Sequence, residues 1–205
     1  QKGIKCIPVV PNVKLAQRVQ AHGADALVVE GMEAGGHDGK LTLMALLENV
    51  LPDIEIPVIA AGGITDGWGI AASLLMGASG VQRGTRFLLA EECSLHPKAK
   101  DAIMAAADTD SVVTGFTTGD SVRGLKNRFS DRYLKAEYSG ASPDELSSIS
   151  AGTTKRGALF GDTENGFILA GMSLTHLTKI QSAKEIVEEL VSETERRLAA
   201  APGLI

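Results

Sequence analysis

A glycine-rich segment contains the residue whose side chain is best suited to proton transfer. In "GMEAGGHDG", residues 31–39, His37 stands among four glycines, shortly after the β-branched run that ends at Glu30. Imidazole changes charge near neutral pH, so a histidine held over a ligand could act as a general acid or base. A histidine in a polar loop is more often an exposed or hydrogen-bonding residue, so the residue types alone leave both interpretations open.

Two further glycine-rich segments follow the next two apolar runs. "AAGGITDG" contains Gly62 and Gly63, and "GVQRGTRF" contains Gly84 and Thr85. Glycine lets backbone N–H groups approach an anion, and the amino end of a following helix attracts negative charge. Each segment alone is equally consistent with a tight turn. Two of them at consecutive strand ends favour a phosphate site, because the last two strands of a barrel commonly form one.

The elements that would position these residues alternate between apolar runs and helix signals. The runs are continuous, as expected of parallel strands buried on both faces; they are "IKCIPVV" (4–10), "ADALVVE" (24–30), "IPVIAAGG" (56–63) and "GASGVQRG" (77–84). Asn12 and Asp66 are predicted helix caps, Gly23 and Gly77 are predicted helix ends, and "LTLMALLENVL" has a helical pattern. Trp68 is expected in the core. This alternation predicts a right-handed parallel α/β architecture.

After Gly84 the pattern changes to that of a mostly helical cap. Residues 94–160 include a turn-rich stretch, "YSGASPDELSSISAG", that we expect to be mobile. A basic cluster suits phosphate or an acidic partner, although a solvated helix face is the commoner explanation; its members are Arg123, Lys126, Arg128 and Arg132. Ser182 and Glu185 form a predicted capping box before a long final helix. That helix has an apolar stripe of Ile186, Val187, Leu190, Val191 and Leu198.

Composition excludes several classes of function. The net charge of -5 is mild, so nothing favours nucleic acid or an anionic membrane as a partner. Cys6 and Cys93 lie far apart without metal-ligand spacing, so we predict neither a disulfide framework nor a metal site. No apolar run approaches the length that spans a bilayer, and the amino end lacks the order of a signal peptide. A reduced, cytoplasmic setting is expected.

The strand-end motifs, taken in order, resemble those of a known enzyme group. "VVEGMEAGGHDGKL", "IPVIAAGGITDG" and "VQRGTRF" resemble flavin-dependent enoyl-[acyl-carrier-protein] reductase II, the FabK type, and its relative nitronate monooxygenase. "SVRGLKNRF" and "GDTENGFILAG" resemble that family's cap and late glycine segment. The resemblance implies an α/β fold, a TIM-like (β/α)8 barrel that binds FMN.

Only the last four strands of that barrel are recognisable in this chain. The sequence is therefore expected to be a carboxyl-terminal portion of the family's protein, or one whose numbering begins partway. Three regions are predicted: a half barrel in residues 1–93, a helical cap in residues 94–170, and a carboxyl-terminal segment with a long helix in residues 171–205. A half barrel exposes sheet edges and apolar surface, so by itself it should be poorly stable or should self-associate. A homodimer is the expected assembly.

The resemblance also assigns site residues. His37 corresponds to the family's catalytic histidine. The residues expected to bind FMN are Glu30 and Gly35 beside the flavin ring, Gly36 next to them in the sequence, and Gly62, Gly63, Gln82, Arg83, Gly84 and Thr85 around the phosphate. NADH or NADPH is the implied co-substrate, and no metal is implied.

Three functions remain open at this point. The first is reduction of a trans-2-enoyl thioester, either a small molecule or bound to acyl carrier protein, in fatty acid biosynthesis. It is favoured because nitronate monooxygenases commonly have glutamine where this sequence has Glu30. The second is oxidation of alkyl nitronates with FMN and O2. The third is a catalytically incomplete fragment.

Overall fold

The computed structural model describes residues 3–204, although not the side chain of Leu204. Seven strands are described: β1 (Val9–Val10), β2 (Leu27–Glu30), β3 (Gly36–His37), β4 (Val58–Ala61), β5 (Gly80–Gln82), β6 (Ser111–Thr114) and β7 (Val122–Leu125). The helices are α1 (Val13–Ala21), α2 (Leu43–Val50), α3 (Gly67–Leu75), α4 (Pro97–Ala105), α5 (Arg128–Tyr138), α6 (Pro143–Ser150), α7 (Thr153–Phe160) and α8 (Ala183–Ala200). Short 3-10 turns cover Leu51–Asp53, Thr85–Leu89 and Ala201–Leu204.

The chain divides into two compact units. The first contains the residues up to Glu33, residues 38–83 and the chain from Lys184 onward; the second contains residues 34–37 and 84–183. The predicted roles of residues 1–93, 94–170 and 171–205 as half barrel, cap and carboxyl-terminal segment stay predictions, because compactness does not assign a role to either unit.

The first unit is built on a four-stranded parallel sheet. Its strand order is β1-β2-β4-β5, and each neighbouring pair is parallel. In β2, Leu27, Val28 and Val29 are all buried, as expected of a strand covered on both faces. The predicted parallel α/β sheet is confirmed, but only Val9–Val10 of the run 4–10 pair as a strand, and Val9 is 48% exposed, so β1 is not buried on both faces. Within residues 3–204, β1 and β5 are the edges of this sheet, so closure into a barrel remains an expectation.

Side-chain caps begin two helices of this unit where the sequence predicts them. The Asn12 side chain accepts a hydrogen bond from the backbone N–H of Leu15, and that of Asp66 accepts one from Gly69. One apolar cluster joins these helices to the sheet; its buried members are Val10, Ala16, Leu27, Val29, Leu43, Leu46, Leu47, Val50, Val58, Ala60, Ile64 and Ala78. The helices α1 and α2 therefore pack as their apolar patterns indicate, whereas Leu75 of α3, which the pattern directs toward the core, is 64% exposed.

The expectation that Trp68 belongs to the core is wrong. Its side chain is 58% exposed, and the Arg197 guanidinium lies 3.4 Å from its ring centroid. The Glu193 carboxylate of α8 accepts a hydrogen bond from the Gly67 backbone N–H at 2.7 Å. An indole ring can lie flat beneath a guanidinium while remaining partly hydrated, so Trp68 helps to attach α8 instead of filling the core.

The final helix buries only part of its apolar stripe. Ile186 and Leu190 are buried, whereas Val187 and Val191 are about half exposed.

No helix within residues 3–204 combines the length and apolar character needed to cross a bilayer.

The second unit contains a small antiparallel sheet that the sequence analysis does not predict. Its order is β3-β7-β6. β7 includes Arg123, whose side chain is buried, whereas Lys126, Arg128 and Arg132 are exposed. The predicted basic cluster is therefore not one helix face: Arg123 lies on a strand, and only Arg128 and Arg132 lie on α5.

The stretch expected to be mobile instead forms a capped helix. The Ser142 side chain accepts from the Glu145 backbone N–H, and the Glu145 carboxylate accepts from the Ser142 backbone N–H at the start of α6. This reciprocal arrangement satisfies two backbone donors that a helix start leaves unpaired. The spacing of Ser142 and Glu145 is the sequence signal for this capping box. The surrounding glycine, serine and proline residues instead suggest a turn-rich stretch.

Asn127 joins the start of α5 to a distant loop. Its Oδ1 accepts from the Ser130 backbone N–H at 3.0 Å. Its Nδ2 donates to the backbone oxygens of Thr163 and Gly166, each at 2.7 Å. One side chain thus caps a helix and satisfies two carbonyl groups.

We expect Asn127→Ala to lower the free energy of unfolding by about 2–3 kcal/mol, because three hydrogen bonds are lost and two carbonyls lose their donor. Ser142→Ala, which removes a more exposed cap, should cost about 1 kcal/mol. Urea unfolding monitored by circular dichroism measures both. Asn127→Asp keeps the cap but loses the two donated bonds, so it should fall clearly below the unsubstituted protein. Equal losses for Asn127→Ala and Ser142→Ala would contradict this account.

Candidate active site

In the first unit, parallel pairing brings the predicted strand-end residues to one edge of the sheet. Glu30 pairs with Ala61, and Ala61 pairs with Gln82. Gly62 and Gly63 follow β4 directly, with φ of +98° and +69°. These are left-handed backbone conformations that favour glycine. Successive residues in such turns can direct their N–H groups toward an anion.

The Glu30 carboxyl group lies at this edge, and its local environment shifts its pKa. It is half-buried at the end of β2. Burial, and then the negative charge of Asp38, raise the pKa of Glu30 above the ordinary value of glutamate. Both causes penalise the ionised form, so this carboxyl group holds its proton more tightly than an exposed glutamate.

In the second unit, Gly35 and Gly36 bring His37 onto a strand. A Cβ on Gly35 would lie 2.5 Å from the carbonyl carbon of Ala170, so only glycine allows this close approach. Gly36 has φ of +93°. Its partner in β7 is Arg123, and the partner of His37 is Val122.

The His37 ring contacts a carboxylate that the sequence analysis does not identify. Nε2 of His37 lies 3.2 Å from Oδ1 of Asp120, and both side chains are largely exposed. Asp120 precedes β7, in the loop that joins it to β6. An exposed imidazole paired with a carboxylate is accessible to a ligand and is oriented by its partner.

Gly84 and Thr85 form the start of a 3-10 turn in the second unit. An added Cβ on Gly84 would meet nothing within 4 Å. The Thr85 hydroxyl oxygen accepts a hydrogen bond from the Gly171 backbone N–H at 2.9 Å. Its hydroxyl hydrogen can still donate to an acceptor, which is the capacity that a phosphate ligand needs.

The predicted site residues therefore fall into two groups. The first unit holds Glu30, Gly62, Gly63, Gln82 and Arg83, and the second holds Gly35, Gly36, His37, Gly84 and Thr85. Their roles stay predictions. Two other histidines have structural partners: Nδ1 of His22 lies 2.7 Å from the Arg18 carbonyl oxygen, and Nδ1 of His96 accepts from the Lys98 backbone N–H. In residues 3–204, no group of three or more His, Cys, Asp and Glu side chains could hold a metal ion.

Comparison with known proteins connects this arrangement to one family. The model of the family described as nitronate monooxygenase matches residues 1–193. The chain belongs to the nitronate monooxygenase family. This family, which includes enzymes of the FabK type, consists of flavin-dependent oxidoreductases.

Three relatives of this chain have three different names. A probable nitronate monooxygenase of Staphylococcus aureus (strain MSSA476) is 34% identical over 205 residues, which cover 94% of this chain and 57% of the relative. FabK from Thermotoga maritima is 38% identical, with a TM-score of 0.95 over 99% of this chain and 65% of that one. A nitroalkane oxidase from Streptomyces ansochromogenes is 30% identical, with a TM-score of 0.83 over 97% of this chain and 60% of that one. The chain thus spans less than two thirds of each relative.

Glu30→Gln should stabilise the folded protein at neutral and alkaline pH. The pKa of Glu30 is raised on folding, so its contribution to stability is fully present below the ordinary glutamate pKa and is lost as the pH rises through the raised pKa. Glutamine cannot ionise and avoids that loss. We expect a higher thermal unfolding temperature than the unsubstituted protein at about pH 8 and none of this gain at about pH 4. Scanning calorimetry measures both, with Glu48→Gln as the exposed control; an equal gain at both pH values would contradict the assignment.

Proposed function

We propose that the protein containing this chain is an FMN-dependent enoyl-[acyl-carrier-protein] reductase that uses NADH or NADPH to reduce trans-2-enoyl thioesters. The observation that carries the proposal is the TM-score of 0.95 with FabK from Thermotoga maritima, at 38% identity over 99% of this chain. A TIM-like (β/α)8 barrel completed by further chain is the fold proposed for the whole protein.

Each unit, taken by itself, holds residues that fit an FMN cofactor. Gly62 and Gly63 offer a left-handed turn at the end of β4, which suits a phosphate. Gly84 has open space where a side chain would stand, and the Thr85 hydroxyl can donate to an anion. When bound, FMN would supply hydride transfer, taking hydride from the nicotinamide and giving it to the β-carbon of the substrate.

His37 is the proposed proton donor of the reaction. Addition of hydride to the β-carbon leaves negative charge on the α-carbon and the thioester oxygen, so a proton must reach the α-carbon. An imidazole transfers protons efficiently at neutral pH, and the His37 side chain is 77% exposed. Exposure lets the ring recover a proton from water after each turnover.

The acidic acyl carrier protein is the proposed partner in the reductase reaction. Lys126, Arg128 and Arg132 are exposed cations in the second unit, and opposite charge speeds the encounter of proteins. Charge reversal at Lys126 and Arg128 that left KM for the carrier-protein substrate unchanged would rule out this contact.

A homodimer in the cytoplasm is the proposed state of the protein, and sedimentation equilibrium tests the assembly.

Nitronate oxidation is the second candidate. It is favoured by the family model that matches residues 1–193 and by the 34% identity with a probable nitronate monooxygenase. The two candidates share a flavin site and differ in the electron donor and acceptor.

An anaerobic assay of the protein containing this chain distinguishes the candidates. We expect NADH or NADPH to bleach the flavin absorbance and an enoyl thioester to restore it. His37→Ala should lower turnover of the thioester by about 100-fold or more, because a general acid contributes that much, while the flavin is retained. Rapid bleaching by an alkyl nitronate, with no response to the thioester, would instead establish the second candidate. A His37→Ala variant with full activity would return His37 to an incidental role.

Gly84→Ala tests the proposed cofactor site through binding. A methyl group at this position meets no protein atom within 4 Å, so the thermal unfolding temperature of the apoprotein should change by less than about 2 °C. The methyl group would occupy space that the phosphate needs, so we expect the Kd for FMN to rise about tenfold or more. Fluorescence titration with FMN measures this change.

Gly80→Ala is the matched control for that titration. Gly80 lies at the start of β5, and a methyl group there also meets nothing within 4 Å. It should change neither stability nor the Kd for FMN. A normal Kd for Gly84→Ala would contradict the placement of the phosphate.

A further inference from the structure

Strand pairing places Asp120 beside His37. His37 pairs with Val122 across the antiparallel β3–β7 ladder, and Asp120 lies two residues before Val122. In antiparallel sheets, side chains two residues apart on a strand project from the same face, and such diagonal neighbours are within reach of long side chains. Asp120 itself lies in the loop before β7, so the 3.2 Å between His37 Nε2 and Asp120 Oδ1 depends on that loop as well as on the register.

A buried carboxylate fixes the loop that carries Asp120. Glu137 of α5 is only 3% exposed. Its Oε2 accepts from the Gly115 backbone N–H at 3.2 Å, and its Oε1 accepts from the backbone N–H and the hydroxyl of Thr117 at 2.8 and 2.9 Å. Hydrogen bonds to a charged acceptor are stronger than neutral ones. The loop 115–121 is therefore attached to α5 at its first and third residues.

The other end of the loop closes on itself. Gly115 has φ of +78°, and a Cβ there would overlap the carbonyl oxygen of Asp120. The Thr118 hydroxyl donates to the Gly115 carbonyl oxygen at 2.9 Å. Glu137 and Asp120 also act together on a third group, since burial and then the charges of Glu137 and Asp120 raise the pKa of Tyr133. Asp120 thus lies in a loop whose backbone is held in place by these hydrogen bonds.

We propose that Asp120 is a positioning residue that holds the Nε2–H of His37 and leaves Nδ1 as the ring nitrogen that exchanges a proton with the substrate. A neutral imidazole has one N–H group, and the acceptor it meets decides which nitrogen carries it. A pair of exposed side chains is weak by itself, but the fixed loop lowers the entropy that ordering Asp120 would require.

The proton balance of this arrangement is simple. In the protonated ring, Nε2–H donates to Asp120 and Nδ1–H is available to the substrate. Transfer of the Nδ1 proton to the α-carbon leaves a neutral ring that still carries Nε2–H, and water returns a proton to Nδ1. This inference rests on the proposed role of His37 in thioester reduction.

Steady-state kinetics of the protein containing this chain, with FMN bound, tests whether Asp120 acts through His37. Asp120→Ala should lower kcat about tenfold with KM unchanged, and Asp120→Glu should restore part of the loss. In a His37→Ala background, Asp120→Ala should have no further effect, because the two residues act as one unit. Asp108→Ala, an exposed aspartate of the same unit, is the control and should not change kcat. Losses that multiply in the double variant would overturn the proposal.

Nitrogen NMR of protein labelled at histidine tests the orientation independently of activity. In the neutral form of the His37 ring, the proposal requires the proton on Nε2 and an Hε2 signal that Asp120→Ala removes. Glu137→Gln should weaken that signal and speed amide exchange at Gly115 and Thr117. A ring proton on Nδ1 would overturn the proposal. Full activity of His37→Ala would defeat the proposed function alone, since the NMR result would still decide the pairing.

Discussion

Parallel pairing of β2 with β4, and of β4 with β5, is the constraint on which the arrangement of the first unit depends. Parallel strands end at the same edge of a sheet, so the residues that follow them meet there. Leu27 and Val29 are fully buried, and a slip of one residue would reverse the faces that these side chains cover. Burial of the strands therefore also fixes the position of Glu30 and of the glycine turn after β4.

In the second unit, an antiparallel pairing between distant segments positions the candidate site residue His37. Its sheet joins residues 36–37 to residues 122–123, two segments far apart in the sequence. Gly35 permits this because any side chain there would collide with the backbone of Ala170. Two paired residues form a weak strand, so the orientation of His37 depends on neighbours of the strand, above all the loop held by Glu137.

How far the sequence predicts this structure depends on whether the signal is local. Continuous apolar runs and side-chain caps such as Asn12 and Asp66 depend on neighbouring residues, and both predict the first unit correctly. The sheet β3-β7-β6 is not predictable this way, because a two-residue strand has no periodicity and its partner lies about 86 residues away. Glycine positions indicate strand-end turns, but Asp120 carries no pattern that links it to His37. Its role depends on a register that only tertiary structure defines.

The pairing of His37 with Asp120 bears on the choice between the two candidate reactions. A nitronate is already the deprotonated form of a nitroalkane, so its oxidation does not require a proton donor at carbon. Reduction of an enoyl thioester does, because hydride addition leaves a carbanion equivalent at the α-carbon that must be protonated. An imidazole that is oriented through one nitrogen, on a side chain that is largely exposed, suits the second requirement. A buried carboxylate, the left-handed Gly115 and a strand register orient one exposed ring, and in the proposed thioester reduction that orientation has a consequence.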